Sequence, residues 1–247
     1  MRLKMGLNLT RNYSYNFNPN KRSKKIIKFI ILHYTGMKRE TEALKRLCDY
    51  KSKVSSHYFI KNNGDILNLV PDLYEAWHAG ISKWKNLKSL NKYSIGIEIN
   101  NPGHDFGYRA FNSKQIFSLK KLLIFLIKKY KIKIDNILGH SDIAPERKKD
   151  PGEKFPWELL AKKKVCKWHK LNKKQIKKFR CISVPVKDKK IFLNNLSKIG
   201  YSVRRTKILS KKNRFAVLAY QRRFRQDLID GKIDKECFII SKNLVKS

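Results

Sequence analysis

The chain has few acidic residues, few cysteines and no long hydrophobic run. Its 247 residues include 19 Asp and Glu against 58 Lys and Arg, which gives a formal net charge of +39. Such a charge favours anionic partners, namely nucleic acid, an anionic membrane surface or an anionic cell-envelope polymer. Because the lysines are spread along the whole chain, a solvated basic surface without a specific partner explains them equally well.

Scarce cysteine and short apolar stretches bear on where the protein acts. No CxxC pair occurs, which favours free thiols in a reducing compartment. The N-terminal segment lacks the apolar run of roughly 7–15 residues that a secretory signal needs. The apolar stretches FIIL and LLIFLI are too short to span a bilayer. We therefore expect a cytoplasmic protein without a transmembrane segment; the alternative is the periplasm or cell envelope, reached by unconventional export.

Apolar periodicity predicts strands and helices that alternate over the first 160 residues. The patterns predict a strand buried on both faces over 25–35, a short helix over 41–50 and a hairpin around Asn63-Gly64 over 55–71. They then predict a strand with unequal faces over 93–100, a helix capped by Ser113 over 113–131 and a last short strand over 134–140. This order predicts an α/β fold with a mixed central β-sheet flanked by helices.

The composition changes after residue 160. Residues 161–180 hold ten basic and no acidic residues, which is typical of a linker or an exposed connecting helix. Three segments with apolar residues at helical spacing follow and predict a small three-helix domain. We therefore predict a first domain over 1–160, a basic linker over 161–186 and a helical domain over 187–247.

Two histidines and one aspartate form the least ordinary pattern in the chain. His33 and His140 end separate buried strands, and Asp150 lies at the far end of the loop GHSDIAPERKKDPG. Strand ends at one edge of an open α/β sheet are where ligands bind. Two His and a carboxylate match a catalytic zinc site that leaves the fourth position for water. The spacing matches no short metal motif, so hydrogen-bonded structural residues remain the alternative.

Five motifs occur in the order seen in one enzyme family. IILHYTG, VSSHYFIKNNGDILNLVPD, AWHAG, SIGIEI and GHSDIAPERKKDPGEKFPW resemble zinc-dependent N-acetylmuramoyl-L-alanine amidases of the type 2 group. That group shares its fold with phage lysozyme-type amidases and peptidoglycan-recognition proteins. The resemblance covers roughly residues 13–160. FLNNLSKIGYSV and FAVLAYQRRFR are similar to a small helical peptidoglycan-binding domain often attached to these enzymes.

The resemblance implies a role for each matching position. His33, His140 and Asp150 become ligands of Zn²⁺, while Glu98 and Lys148 take the two catalytic positions. A carboxylate at Glu98 suits transfer of the proton from water to the departing amine, and a lysine suits stabilisation of the oxyanion. Without the motif, Glu98 is an ordinary exposed strand residue, and the neighbouring Lys149 competes with Lys148.

Four further positions are candidates for binding substrate: Tyr34, His57, Trp77 and His78. A packed structural histidine is the alternative at His57 and at His78. His104 and His169 are expected to be exposed and without a role.

The implied activity is cleavage of the amide between N-acetylmuramic acid, including its 1,6-anhydro form, and L-alanine of peptidoglycan stem peptides, in cell-wall turnover or recycling. Peptidoglycan or muramoyl peptides would be the partners. A non-catalytic peptidoglycan-recognition module is the alternative, although all three ligand positions hold competent residues. No nucleic-acid partner is expected, because the sequence has no recognition helix, zinc finger or aromatic RNA-binding motif.

Overall fold

A computed structural model describes residues 2, 3, 7–204, 206–208 and 210–246, with side chains described from residue 12 onward. The strands are β1 (Arg2–Leu3), β2 (Leu7–Arg11), β3 (Phe17–Asn18), β4 (Phe29–Tyr34), β5 (Tyr58–Ile60), β6 (Ile66–Asn68), β7 (Glu75–Ala76), β8 (Lys83–Trp84), β9 (Leu87–Lys88), β10 (Ser94–Ile99) and β11 (Ile137–Gly139). The helices are α1 (Glu40–Cys48), α2 (Ser113–Tyr130), α3 (His140–Ile143), α4 (Trp157–Lys162), α5 (Lys173–Lys177), α6 (Val186–Ile199), α7 (Lys211–Phe224) and α8 (Lys235–Lys246).

Seven strands form the central sheet in the order β1-β2-β6-β5-β10-β4-β11. β4 runs parallel to both β10 and β11, and β10 runs parallel to β5, whereas β5 and β6 pair antiparallel as the predicted hairpin. The sheet is therefore mixed and flanked by helices, which confirms the predicted fold class.

Alternation along β4 assigns its side chains to two cores. Ile30 and Leu32 join the cluster that includes the apolar stripe of α2, whereas Phe29 and Ile31 join a second cluster. The second cluster also contains buried side chains of the three C-terminal helices, among them Phe192 and Tyr220. The predicted C-terminal helices therefore exist, and they cover the face of the sheet opposite to α2.

The start of α2 corrects one detail. Asn112, not Ser113, caps the helix: its side chain accepts a hydrogen bond from the Gln115 backbone, and the Gln115 side chain accepts one from the Asn112 backbone. This capping box satisfies two backbone N–H groups that the first turn leaves without partners.

The segment 161–186 is folded against the rest of the protein. Val165 and Cys166 are buried in the first cluster, and Ile176 of α5 is buried in the second. His169, expected to be exposed, is also buried. The segment is thus packed rather than an exposed connection; the division of the chain into three parts stays a prediction. In the described part of the chain, no helix combines the length and apolar character that a bilayer span requires.

Candidate active site

The candidate site lies where the parallel strands end. β4 and β10 pair so that His33 stands opposite Glu98, one residue before the shared end of both strands. β11 is the other neighbour of β4, and His140 follows it as the first residue of α3. The three side chains consequently meet at one edge of the sheet, as the sequence predicted for strand ends.

Three ligand atoms converge at this edge. The distance from His33 Nδ1 to His140 Nδ1 is 2.9 Å, and Asp150 Oδ2 lies 2.9 Å from the first and 3.0 Å from the second. All three side chains are buried, and the set has the composition of a metal site. In a tetrahedron with bonds of about 2.0–2.1 Å to zinc, ligands stand roughly 3.3 Å apart, so the triangle needs only slight expansion.

A chain of hydrogen bonds decides which nitrogen of His33 carries its hydrogen. Ser94 Oγ donates to the Leu90 carbonyl at 2.6 Å, so it accepts from His78 Nε2 at 3.2 Å. His78 Nδ1 is then an acceptor, and His33 Nε2, 3.1 Å away, is its donor. A neutral His33 therefore directs the lone pair of Nδ1 towards His140 and Asp150.

His140 has the same orientation for a simpler reason. Its Nε2 lies 3.1 Å from the Ala79 carbonyl, which can only accept, and this contact is shorter than the 3.3 Å to Arg147 Nη2, so Nδ1 again carries the lone pair. Two imidazole lone pairs and one carboxylate oxygen thus face one another at hydrogen-bond distance. Three buried acceptors need a cation between them. The ligands of zinc sites commonly donate their second ring nitrogen in this way, and the residues fit a zinc ion.

The pKa shifts agree with this assignment. Burial lowers the pKa of His33 to about 4, so its imidazole is neutral at neutral pH. Burial alone would raise the pKa of Asp150, but the imidazoles of His140 and His33 beside it hold that pKa below its usual value. A neutral imidazole and an ionised carboxylate are the protonation states that metal ligands require.

Gly96 makes room for His78. A Cβ atom on this β10 residue would lie 2.4 Å from the His78 ring, closer than any side-chain contact allows. The ring therefore packs against bare backbone on one side of the strand, which places it within reach of His33. Position 96 in SIGIEI therefore requires glycine because of the His78 ring, which the sequence pattern did not indicate.

The loop between His140 and Asp150 is held by its own backbone and by one arginine. The Ser141 N–H donates to the Asp150 carbonyl at 2.8 Å, which closes the loop next to both ligands. Arg147 Nη2 donates to the Ile81 carbonyl at 2.9 Å and to the Ala79 carbonyl. Since Ala79 also orients His140, Arg147 supports the site, a contribution that sequence reasoning missed.

Glu98 is a carboxyl group without a partner at the edge of this cluster. Its Oε2 is buried and accepts no hydrogen bond from any described residue. Burial raises the pKa of Glu98 well above its usual value, and the Asp150 carboxylate raises it further, although Lys148 lowers it. Instead of the exposed strand residue that its position allowed, Glu98 is a half-buried carboxyl group with a raised pKa beside the three converging side chains.

A cavity of ≈ 560 Å³ opens over the site. Glu98, Lys148 and the three ligand residues line it, and so do Lys149, Tyr34, Trp77 and His78. Three of the four predicted substrate-binding residues thus face the cavity, although His78 also orients His33. Lys148 and Lys149 both reach it, so their separate roles stay a prediction.

His57 is the exception. It does not line the cavity and is fully buried: its Nδ1 accepts from the Gly96 N–H at 2.9 Å, and its Nε2 donates to the Tyr74 carbonyl at 3.0 Å. Burial lowers the pKa of His57 to about 3, with the Arg22 guanidinium next to it. The prediction that His57 binds substrate is therefore corrected: it is a packed structural residue.

His104, to which no role was assigned, contacts Tyr34, a residue that lines the cavity. Its Nδ1 lies 2.9 Å from the Tyr34 hydroxyl, and its Nε2 lies 3.1 Å from Glu153 Oε2. It therefore orients Tyr34, with the Tyr108 ring stacked on it. The sequence around His104 does not indicate this contact, because Tyr34 and Glu153 are 70 and 49 residues away from it.

Comparison with known proteins places this geometry in context. A family model described as Amidase_2, N-acetylmuramoyl-L-alanine amidase, matches residues 22–153. N-acetylmuramoyl-L-alanine amidase AmiD of Escherichia coli is 35% identical over 233 residues, 89% of this chain and 83% of AmiD. 1,6-Anhydro-N-acetylmuramyl-L-alanine amidase AmpD of Haemophilus influenzae is 41% identical over 110 residues, 44% of this chain and 58% of AmpD.

Solved structures are similar over nearly the whole length. AmiD of E. coli, in complex with the substrate anhydro-N-acetylmuramic acid-L-Ala-D-gamma-Glu-L-Lys, superimposes with a TM-score of 0.76 at 33% identity and covers 93% of this chain and 91% of its own. AmpDh3 of Pseudomonas aeruginosa, in complex with an anhydromuramic pentapeptide, gives 0.76 at 30% identity, with 92% and 93% covered. The similarity therefore includes the three C-terminal helices.

Proposed function

This chain belongs to the N-acetylmuramoyl-L-alanine amidase family, and we propose that it hydrolyses the amide between N-acetylmuramic acid, including the 1,6-anhydro form, and L-alanine of stem peptides, with a zinc ion held by His33, His140 and Asp150. The observation that carries this proposal is the set of three converging acceptors beside a partnerless Glu98 in an open cavity. The substrates named for AmiD and AmpDh3 support the substrate class.

The zinc ion, when bound, would supply a water whose pKa is lowered to about 7. Glu98 is placed to take the proton of the attacking water, because it lines the same cavity and its buried Oε2 has no hydrogen-bond partner among the described residues. The same carboxyl then passes the proton to the departing amine. Lys148 faces the cavity and supplies positive charge where the carbonyl oxygen becomes negative.

The proposal extends to the division of the chain into three parts. We propose residues 1–160 as the catalytic unit, 161–186 as the basic connection and 187–247 as a peptidoglycan-binding-like unit. We also keep the cytoplasm as the proposed location, with the periplasm or cell envelope as the alternative.

The first test is a mass spectrum of the products from a 1,6-anhydro-muramoyl tripeptide, with and without a strong chelator. We expect a peptide with a free N-terminal alanine, abolished by the chelator and restored by Zn²⁺. An intact substrate with zinc confirmed in the protein would contradict hydrolysis and favour the non-catalytic recognition module.

Glu98→Gln separates metal binding from proton transfer. The amide cannot carry the proton, so we expect turnover to fall by about 10²–10⁴-fold, with zinc content unchanged by elemental analysis. Lys148→Met and Lys149→Met form a matched pair, and we expect the larger loss of kcat at Lys148. Near-normal turnover of Glu98→Gln would contradict its assignment as the base.

A further inference from the structure

Three exposed tyrosines stand out on the surface beside the candidate site. Tyr13, Tyr15 and Tyr50 expose 55%, 72% and 66% of their surface. Single exposed apolar side chains are common, but several large rings in one region mark a binding surface. Neither the metal site nor the proposed catalytic steps use them.

Buried neighbours force two of these rings outward. Ser14 and Asn16, which alternate with Tyr13 and Tyr15, are both buried. Ser14 Oγ donates to the Leu47 carbonyl at 2.5 Å, and Asn16 Nδ2 donates to the Asp49 and Val54 carbonyls at 2.7 and 2.9 Å. In an extended segment, alternate side chains point to opposite sides, so Tyr13 and Tyr15 face solvent from a backbone held in place.

The loop that holds this segment is also a wall of the cavity. Leu47 and Val54, whose carbonyls accept these hydrogen bonds, line the cavity on its inner side. Ser55, another lining residue, donates to the Asn16 carbonyl at 2.5 Å. Tyr50 belongs to the same loop, one residue after Asp49. The tyrosines consequently stand on the outer side of a wall whose inner side faces the site.

Two of the three tyrosine rings belong to a connected set of aromatic contacts. The centroid of Tyr13 lies 5.9 Å from that of Tyr15 and 6.2 Å from that of Phe17, and Phe17 lies 5.3 Å from Tyr74, all edge-on. A tyrosine offers a rigid apolar face with a hydroxyl at its rim, at little entropic cost. A pyranose ring presents the matching surface, C–H groups on its faces and hydroxyls around its edge.

We propose that Tyr13, Tyr15 and Tyr50 bind the glycan chain that continues from the N-acetylmuramic acid unit in the cavity. This inference rests on the proposed function and adds a preference for substrates with several linked sugars. Continuity with the cavity wall identifies the occupant: a sugar polymer attached to the reacting unit must leave the cavity over one of its walls, and this wall carries the rings on its outer side.

The test compares two substrates in one protein. The triple variant Tyr13→Ser, Tyr15→Ser, Tyr50→Ser and the unaltered protein are assayed on insoluble peptidoglycan and on a soluble anhydro-muramoyl tripeptide. We expect the ratio of the two rates, polymer over tripeptide, to fall by about tenfold, the size of one favourable aromatic contact or more. Phe117→Ala is the matched control, since Phe117 of α2 is 54% exposed and lies outside this region.

Each other outcome overturns the inference. An unchanged ratio means that the rings do not contact the polymer. The same fall in Phe117→Ala means that exposed rings adsorb to the wall without a specific surface. An equal loss on both substrates means that the substitutions disturb the cavity itself.

A second measurement separates this inference from the proposed function. Glu98→Gln, with and without the three tyrosine substitutions, is sedimented with peptide-free glycan chains and, separately, with anionic lipid vesicles. Binding of the glycan chains that the substitutions reduce about tenfold supports the surface even if no hydrolysis is found. Binding to vesicles alone, lost with the tyrosines, assigns the surface to a membrane and contradicts the glycan.

Discussion

The metal-ligand cluster and a second buried cluster share the short helix α3, yet their charges are balanced differently. In the first, His33, His140 and Asp150 direct only acceptors at one another. In the second, Asp142 accepts from Arg223 Nη1 at 2.6 Å and from the Tyr201 hydroxyl at 2.5 Å. We call these the open cluster and the closed cluster.

In the closed cluster the carboxylate is paired without any added group. Asp142 also accepts from the Gly139 N–H at 2.8 Å, and Arg223 Nη2 donates to the Ile137 carbonyl at 2.8 Å. The guanidinium lies over the Trp157 ring, 4.4 Å from its centroid. A buried carboxylate is tolerated when it is paired and hydrogen-bonded, and here it is. The open cluster also holds a buried carboxylate, but its hydrogen-bond-distance neighbours His33 and His140 supply no positive charge when they are neutral, which is the reason that the cluster suits a cation.

The C-terminal helices supply side chains to the closed cluster. Tyr201 follows α6, and Arg223 belongs to α7, so both side chains that donate to Asp142 come from the C-terminal part of the chain. Asp142 is two residues from His140 on the same turn. The C-terminal helices therefore contribute to the support of the short helix that carries His140.

The largest effect is expected from Asp150→Ala, which removes the carboxylate of the open cluster. We expect loss of bound zinc and of turnover, because two imidazoles alone do not make a catalytic zinc site. In calorimetry, zinc should raise the melting temperature of the unaltered protein by mass action but leave that of the variant unchanged. Zinc binding retained by Asp150→Ala would remove it from the ligand set.

Arg223→Met tests the closed cluster and should be next in size. It leaves Asp142 buried with its principal cation gone, which costs about 3–5 kcal/mol of unfolding free energy. Denaturant titration should give the same loss with and without chelator, because this cluster needs no metal.

The double variant Asp142→Asn with Arg223→Met is the control for that measurement. Removing both charges should recover part of the lost stability, since the penalty arises from the unpaired charge. A stability loss that appears only in the zinc-loaded protein would contradict the separation of the two clusters.

The smallest effect is expected from His78→Gln, which interrupts the hydrogen-bond chain to His33. Loss of such a partner costs about 10–100-fold in metal affinity, measurable by competition with a chelating dye. His169→Gln is the matched control, a buried histidine remote from the ligands. Equal zinc affinity in both variants would show that Ser94 and Leu90 do not fix the orientation of His33.

Local patterns were sufficient for the elements and for the residues that meet at the candidate site. Alternation and helical spacing predicted the hairpin, α2 and the three C-terminal helices, because each depends on neighbours in the chain. The five motifs identified His33, His140, Asp150 and Glu98, and the structure brings these four together. The zinc ion itself and the separate roles of Glu98 and Lys148 stay predictions.

The sequence by itself determined which residue types stand at the strand ends, and with them the family and the chemistry that is possible. Only the tertiary structure decided that His78 orients His33, that His57 is structural and that Arg223 reaches Asp142. His78 is 45 residues from His33 in the sequence, and Arg223 is 81 residues from Asp142. Contacts of that separation follow from the packing of whole elements on the sheet, and no periodicity within one element records them.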